Sequence, residues 1–262
     1  MPVRRLVFIT GASSGIGLAL AQAYYRQGCE LALVARRHEH MARWAQEQGL
    51  DPQRIRLYAA DVSLADSIIA AAEQCIAQQG LPDIVIANAG ISRGIDTAER
   101  EDLAVMQEVV ATNLLGLAAT FQAFITPMRQ RGNGTLAGIA SVAGIRGLPG
   151  HGAYCSSKAA AISYCESLRV ELRGSGVAVV TLLPGYVATP LTSRNPYAMP
   201  FLLPADEFAR RAVQAIARRR SHCVIPWQMA WVARILRLLP NAVFDRLAAR
   251  GTRKPRYLDE KP

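Results

Sequence analysis

A tight glycine turn near the start of the chain leaves few folds open. Residues 4–9 form an apolar, β-rich run. Thr10, Gly11, Ala12, Ser13, Ser14, Gly15, Ile16 and Gly17 follow, and an amphipathic helical pattern then reaches about Gln27. Strand, glycine turn and helix in that order make one βα unit. Gly11, Gly15 and Gly17 let the backbone turn tightly, approach an anion closely and seat the helix on a sheet. The first helical turn carries unpaired N–H groups and the positive end of the helix dipole, which favours a phosphate. Glycine turns are also built for structure alone, so the reading leans on the strand and helix that flank this one.

The same unit recurs. Residues 30–34, 55–59, 83–87, 134–140, 177–182 and 223–225 are further short apolar runs, alternating with helical patterns. That alternation predicts an α/β fold with a parallel sheet. Right-handed crossovers bring the carboxyl ends of the strands to one edge, where open α/β sheets bind ligands. The second run ends in Ala35, Arg36 and Arg37, where the adenosine ribose of a dinucleotide should lie. A carboxylate there would bond a 2′-hydroxyl and repel a 2′-phosphate. Two guanidinium groups favour the phosphate, unless they merely open a solvated helix. Asp61, followed by Val62, either accepts a bond from an adenine amino group or caps the next helix. Asn88, Ala89 and Gly90 close the fourth run, and Pro184, Gly185, Val187 and Thr189 follow the sixth.

Tyr154 and Lys158 lie four residues apart in a helical pattern spanning 153–173, so they share a helical face. A free phenol titrates near pH ~10, and a neighbouring ammonium is expected to lower that value toward the range useful for proton transfer. Ser141 follows the fifth run, and Asn113 sits inside a long apolar helical stretch, 99–131.

These residues, in this order, resemble the short-chain dehydrogenase/reductase family over residues 3–226. The resemblance rests on 10–17, Asp61 with Val62, Asn88-Ala89-Gly90, Asn113, Ser141, Tyr154 with Lys158, and Pro184-Gly185 through Thr189. Ala87 departs from it, standing where the family often has a second asparagine. The resemblance implies a single Rossmann-like, doubly wound domain (1–226), with about seven strands in the order 3-2-1-4-5-6-7. It implies an NAD(P)(H)-dependent oxidoreductase in which Tyr154 passes a proton to the substrate oxygen and Ser141 bonds that oxygen. Lys158 lowers the tyrosine pKa and holds the nicotinamide ribose, and Asn113 links the lysine to a water chain. Gly11, Ser13, Ser14, Gly15, Ile16 and Gly17 face the pyrophosphate side. Asp61, Val62, Asn88, Ala89 and Gly90 line the cofactor, and Pro184, Gly185, Val187 and Thr189 contact the nicotinamide. Arg36 and Arg37 tip the choice toward NADP(H). The family's habit is a homodimer or homotetramer.

Residues 189–205 hold four prolines and no periodicity, and by resemblance form a lid over the substrate. Tyr197 and Met199 there, with His151 three residues before Tyr154, are candidate substrate contacts, and the apolar lid points to an apolar, lipid-like ketone. Residues 227–262 form an extension: an amphipathic helix carrying Trp227, Trp231, Arg234 and Arg237, then a basic tail expected to be mobile. The helix is too short and charged to span a bilayer. Four uses stay open for 227–247: a dimer contact, a flap over the substrate entrance, a peripheral membrane contact, or simple docking on the chain's own core.

Charge and cysteine usage narrow the alternatives. The net charge is +10, and 13 Lys/Arg against 5 Asp/Glu fall after position 205. Basicity confined to that end, with no recognition motif or interleaved aromatics, gives no case for nucleic acid. Five cysteines without a C-x-x-C pattern point to a reducing, cytoplasmic setting and to no metal site. The remaining alternatives are an NAD-dependent dehydrogenase of a polar alcohol such as a sugar, and a dinucleotide sensor without catalysis. Against the sensor stand Asn113, Ser141, Tyr154 and Lys158, which it would not use.

Overall fold

A computed structural model describes residues 4–36, 38–193, 195 and 197–259. The order is β1 (Leu6–Thr10), α1 (Gly15–Arg26), β2 (Glu30–Ala35), α2 (His38–Glu47), β3 (Ile55–Ala59), α3 (Ala65–Gln79), β4 (Ile84–Ala87), α4 (Asp102–Val110), α5 (Gly116–Arg131), β5 (Gly134–Ile139), α6 (Gly152–Glu171), β6 (Val177–Pro184), β7 (Val187–Ala188), β8 (Leu203–Pro204), α7 (Ala205–Ala217), β9 (His222–Ile225), α8 (Trp227–Leu238) and α9 (Asn241–Ala249). Seven parallel strands form one sheet in the order β3-β2-β1-β4-β5-β6-β9. The expected order holds. The seventh strand is ninth in the chain because a short β7–β8 ladder ties the two ends of the lid segment together.

Helices cover both faces, so the inner strands are apolar throughout rather than alternating. β1 shows how they divide. Val7 and Ile9 enter the layer under α1 and α7, while Leu6 and Phe8 enter the layer under α3, α5 and α6. In β4, Ile84 and Ile86 join the first layer and Val85 and Ala87 the second. Phe8 meets Phe124 of α5 edge to face, with ring centroids 4.9 Å apart. The helical run 102–131 is long and apolar enough to cross a membrane by length and hydropathy, but Leu117, Phe121, Phe124 and Met128 go into the second layer.

That run was expected to be one regular helix. Instead a five-residue π turn, Ala111–Leu115, separates α4 from α5 and holds Asn113. Such wide turns recur at functional sites because they swing one side chain off the helical repeat. The basic tail also departs from expectation, since it folds back onto the body. Lys254 Nζ donates to the Ser92 carbonyl (3.1 Å) and hydroxyl (2.7 Å), Tyr257 N–H donates to the Gly94 carbonyl, and Arg256 grips Asp102 through two hydrogen bonds.

Candidate active site

Strand order runs outward in opposite directions from β1 and β4. The crevice between their carboxyl ends is therefore the natural ligand site, and a cleft of about 930 Å³ opens there. Its floor is the turn after β1. Ser14 precedes α1 without capping it, leaving that helix's first N–H groups to face the cleft beside Ser13, Gly15 and Ile16. Gly17 lies below the lining. A Cβ there would sit 2.2 Å from the Gly11 carbonyl oxygen and 2.6 Å from Asn88 Nδ2, so only glycine fits. Asn88 ties the two central strands together, its Nδ2 donating to the carbonyls of Thr10 (2.9 Å) and Gly11 (3.3 Å). Asn88, Ala89 and Gly90 line the wall.

Arg36 lines the cleft at the end of β2, and Ala35 leaves no carboxylate at that strand end. Arg36 is largely exposed and reaches Asp61 only at 3.9 Å, a weak surface pair. Arg37 lies outside the described residues. Both readings of Asp61 hold in part. It accepts from the Ser63 N–H (2.9 Å) and hydroxyl (2.7 Å), fixing the turn into α3, and with Val62 it also lines the cleft.

At the other end of the cleft the expected catalytic side chains converge. Tyr154 and Lys158 share a face of α6, with Lys158 Nζ 5.9 Å from the tyrosine ring centroid. Ser141 caps a short turn by accepting from the Ala143 N–H, and shares a hydrogen bond with the Tyr154 hydroxyl. Lys158 is buried and donates to the Ile139 carbonyl at 2.8 Å. Asn113 is buried beneath this group. It accepts from Ile91 N–H (2.8 Å) and donates to the Ile91 carbonyl (2.9 Å) and Ser157 Oγ (3.0 Å). Asn113 therefore pins the strand-end segment after Gly90, and that glycine separates it from the Lys158 ammonium. Pro184, Gly185, Val187 and Thr189 line the opposite wall. Thr192, which sequence reasoning missed, holds that wall. Its hydroxyl donates to the Val187 carbonyl (2.6 Å) and accepts from the Thr189 N–H (3.1 Å). The signal was present in the Thr-x-x-Thr spacing, which favours such local bonds.

The electrostatics correct one expectation. Burial raises the Tyr154 pKa above its ordinary value, and the bond from Ser141 offsets only part of that rise. Burial also lowers the Lys158 pKa to about 8, because an ammonium in an apolar pocket loses its hydration. The resting site thus favours a protonated phenol, not the phenolate that spacing alone pointed to. Folding is penalised accordingly. The unfolded lysine holds its proton up to about pH 10.5 and the folded one only to about 8, so stability rises with pH across that window. At ~1.36 kcal/mol per pKa unit the penalty at pH 7 is about 3 kcal/mol, against ~1 kcal/mol for the bond to Ile139. Lys158→Met should therefore raise stability by about 2 kcal/mol at pH 7. The gain should vanish toward pH 10.5, as read by urea denaturation at both pH values.

The substrate candidates divide. His151 is buried and tied to the lid, with the Tyr197 hydroxyl 3.0 Å from Nε2 and the Pro149 carbonyl 3.1 Å from Nδ1. Neutral imidazole suits both contacts, and burial lowers the His151 pKa. Tyr197 also approaches Tyr186, ring centroids 6.3 Å apart. Met199 instead accepts from Asn195 within its own loop. No cluster able to hold a metal ion occurs among the described residues.

The free helix start, the glycine floor, the buried Lys158 and the strand-end residues together fit a nicotinamide dinucleotide. Comparison agrees. The family model described as short chain dehydrogenase matches residues 5–198. An oxidoreductase of Myxococcus xanthus is 37% identical over 249 residues, covering 94% of this chain and 97% of its own. A solved short-chain dehydrogenase/reductase of Burkholderia phymatum in complex with NAD matches with a TM-score of 0.78 at 25% identity, covering 88% of this chain and 92% of that one. A short-chain dehydrogenase of Sphingobium yanoikuyae in complex with NADPH gives 0.73 at 27%, covering 91% and 97%. With its fold, its cleft and its Asn113, Ser141, Tyr154 and Lys158 in place, the chain belongs to the short-chain dehydrogenase/reductase family of NAD(P)-dependent oxidoreductases.

Proposed function

We propose that this enzyme reduces an apolar ketone with NADPH. The observation that carries the cofactor choice is Arg36 at the end of β2, exposed to the cleft with no carboxylate at that strand end. A guanidinium there bonds a 2′-phosphate through several N–H groups. The α1 N-terminus takes the pyrophosphate, Lys158 the nicotinamide ribose, and Thr189 with Val187 the carboxamide end. When bound, reduced nicotinamide supplies hydride to the carbonyl carbon. Ser141 orients the carbonyl oxygen, and the Tyr154 hydroxyl gives it a proton as charge develops. The phenolate left behind is stabilised by the Lys158 ammonium and then reprotonated. The raised Tyr154 pKa supports the reducing direction, because the proton to be donated is already held at neutral pH. Tyr186 with Tyr197, and Met229, which packs over Gly185, lie behind the cleft wall at Gly185, and their bulk supports an apolar substrate. Pairing into a homodimer or homotetramer belongs to the same reading, with Leu103, Leu115 and Val170 exposed on the α4–α6 surface.

The test is steady-state kinetics on ketones of graded chain length with each cofactor. Wild type should favour NADPH over NADH in kcat/KM by at least about tenfold, the value of one lost charge-assisted bond. Arg36→Asp should reverse the order, because a carboxylate accepts from a 2′-hydroxyl and repels a phosphate. A wild-type preference for NADH would overturn the assignment, and rates that do not rise with chain length would overturn the apolar substrate.

A further inference from the structure

α8 has two faces that point in opposite directions. At 100° per residue, Met229 and Ala233 lie together on one side, and both are buried. Trp227, Trp231, Ile235 and Leu238 lie on the other, and they are 63%, 58%, 57% and 83% exposed. Val243 and Leu247, one turn apart on α9, are exposed as well. Isolated exposed apolar side chains need no explanation, but four large ones along one face of a single helix mark a binding surface.

The charge around this face says what covers it. Between 227 and 250 stand Arg234, Arg237, Arg246 and Arg250 against a single Asp245. Arg234 borders the tryptophan row and stacks on Trp231, 5.4 Å from its ring centroid, which holds a cation at the edge of the apolar strip. Arg237 turns inward to the Ile145 carbonyl. Tryptophans with leucine and isoleucine on one side, flanked by exposed arginines, suit the boundary between acyl chains and anionic headgroups. A second copy of the chain would bring the same arginines face to face across the contact.

The two helices are also fixed to the body of the domain. Met229 packs over Gly185, which lines the cleft. Arg146, between Ser141 and Tyr154 in the chain, donates to the Leu239 carbonyl and to Asn241 Oδ1 (3.3 Å each) and stacks on Phe244 at 4.0 Å. The inner sides of α8 and α9 thus adjoin the cleft wall at Gly185 and the segment between Ser141 and Tyr154, while the outer face of α8 is exposed.

We propose that the outer face of α8, with the exposed side chains of α9 following it in the chain, docks on an anionic lipid surface, so that the side of the cleft at Gly185 lies toward the bilayer. Docking stands independently of the catalytic reading. Only the delivery of an apolar carbonyl from the bilayer rests on that reading.

The experiment is co-sedimentation of the full chain with vesicles of phosphatidylcholine, alone or mixed with phosphatidylglycerol, with no substrate present. Binding to the anionic vesicles should exceed binding to the neutral ones, weaken with added salt, and shift tryptophan emission to the blue. Trp227→Ala combined with Trp231→Ala should weaken it at least about tenfold. Arg234→Gln and Arg246→Gln should each weaken it roughly fivefold on anionic vesicles alone. Thermal melting of each variant checks folding without reference to activity. Absence of vesicle binding, equal binding to both vesicles, or wild-type binding by the tryptophan pair variant would overturn the proposal. So would a wild-type dimer that the tryptophan changes convert to monomer while vesicles go unbound, a result that assigns the face to a second copy.

Discussion

Tyr154→Phe should lower the rate of carbonyl reduction by ~10²–10⁴-fold, the usual worth of one positioned general acid, with little change in cofactor affinity. The substitution removes only the hydroxyl. The ring still packs on α6, and Lys158 still bonds Ile139 from the same helical turn. What disappears is the hydroxyl proposed to protonate the substrate oxygen, together with its bond to Ser141. The pH profile of the wild type should carry the same signature. Because the tyrosine pKa is raised, reduction should stay level through neutral pH and fall only in the alkaline range. Alcohol oxidation, which needs the phenolate, should climb with pH over the same interval. Single-turnover absorbance of NADPH with the wild type and the variant measures the first effect, and initial rates in both directions measure the second. A variant retaining more than about a tenth of the wild-type rate would remove Tyr154 from its role.

Arg256→Ala should damage the fold from well outside the cleft, with an apparent Tm roughly 5–10 °C lower. Asp102 is only 1% exposed, and its carboxylate is held by Arg256 Nε (3.0 Å) and Nη2 (3.2 Å) and by the Asp96 N–H (2.6 Å). Those bonds keep its pKa below the usual carboxylate value. Its contribution is therefore complete above about pH 4 and is lost as pH falls through the lower folded value. Truncating the arginine strands the charge, whereas Asp102→Asn in the same chain should recover part of the loss. The kinetic damage should fall on KM for the carbonyl rather than on cofactor binding. The tail touches Ser92, Gly94 and Pro149, beside His151 and its Tyr197 contact. A double-mutant cycle followed by melting and by KM separates these effects.

The nucleotide half of the molecule was legible in the sequence because its determinants are local. A strand, a glycine turn and a helix start are contiguous, and Gly17, Asn88 and Thr189 each sit within a few residues of a strand end. The placement of the candidate catalytic group was legible for a related reason, since Tyr154 and Lys158 are one helical turn apart. What sequence spacing could not supply was burial. It led to a tyrosine pKa shifted down by a neighbouring charge, whereas desolvation pushes it up. The π turn at Asn113 was equally hidden, because the stretch 99–131 is apolar around so much of its circumference that a one-residue shift in its helical repeat leaves no visible break. The tail was misread as a free polar end because its partners are distant. Lys254 and Ser92 are 162 residues apart, and Arg256 and Asp102 are 154 apart.

The division of β1 between two cores bears on which genetic changes this protein can absorb. Odd positions of the strand feed one layer and even positions the other, and Thr10 at its end holds Asn88 through its hydroxyl and carbonyl. Replacing one apolar residue there by another disturbs a single layer. Inserting or deleting one residue reverses both layers at once and moves Thr10 out of reach of Asn88. In the segment between β7 and β8, where no such alternation has to be kept, added residues leave the sheet register untouched. Lineages of this enzyme should therefore gain and lose length between β7 and β8, and change only by substitution in the central strands of the sheet.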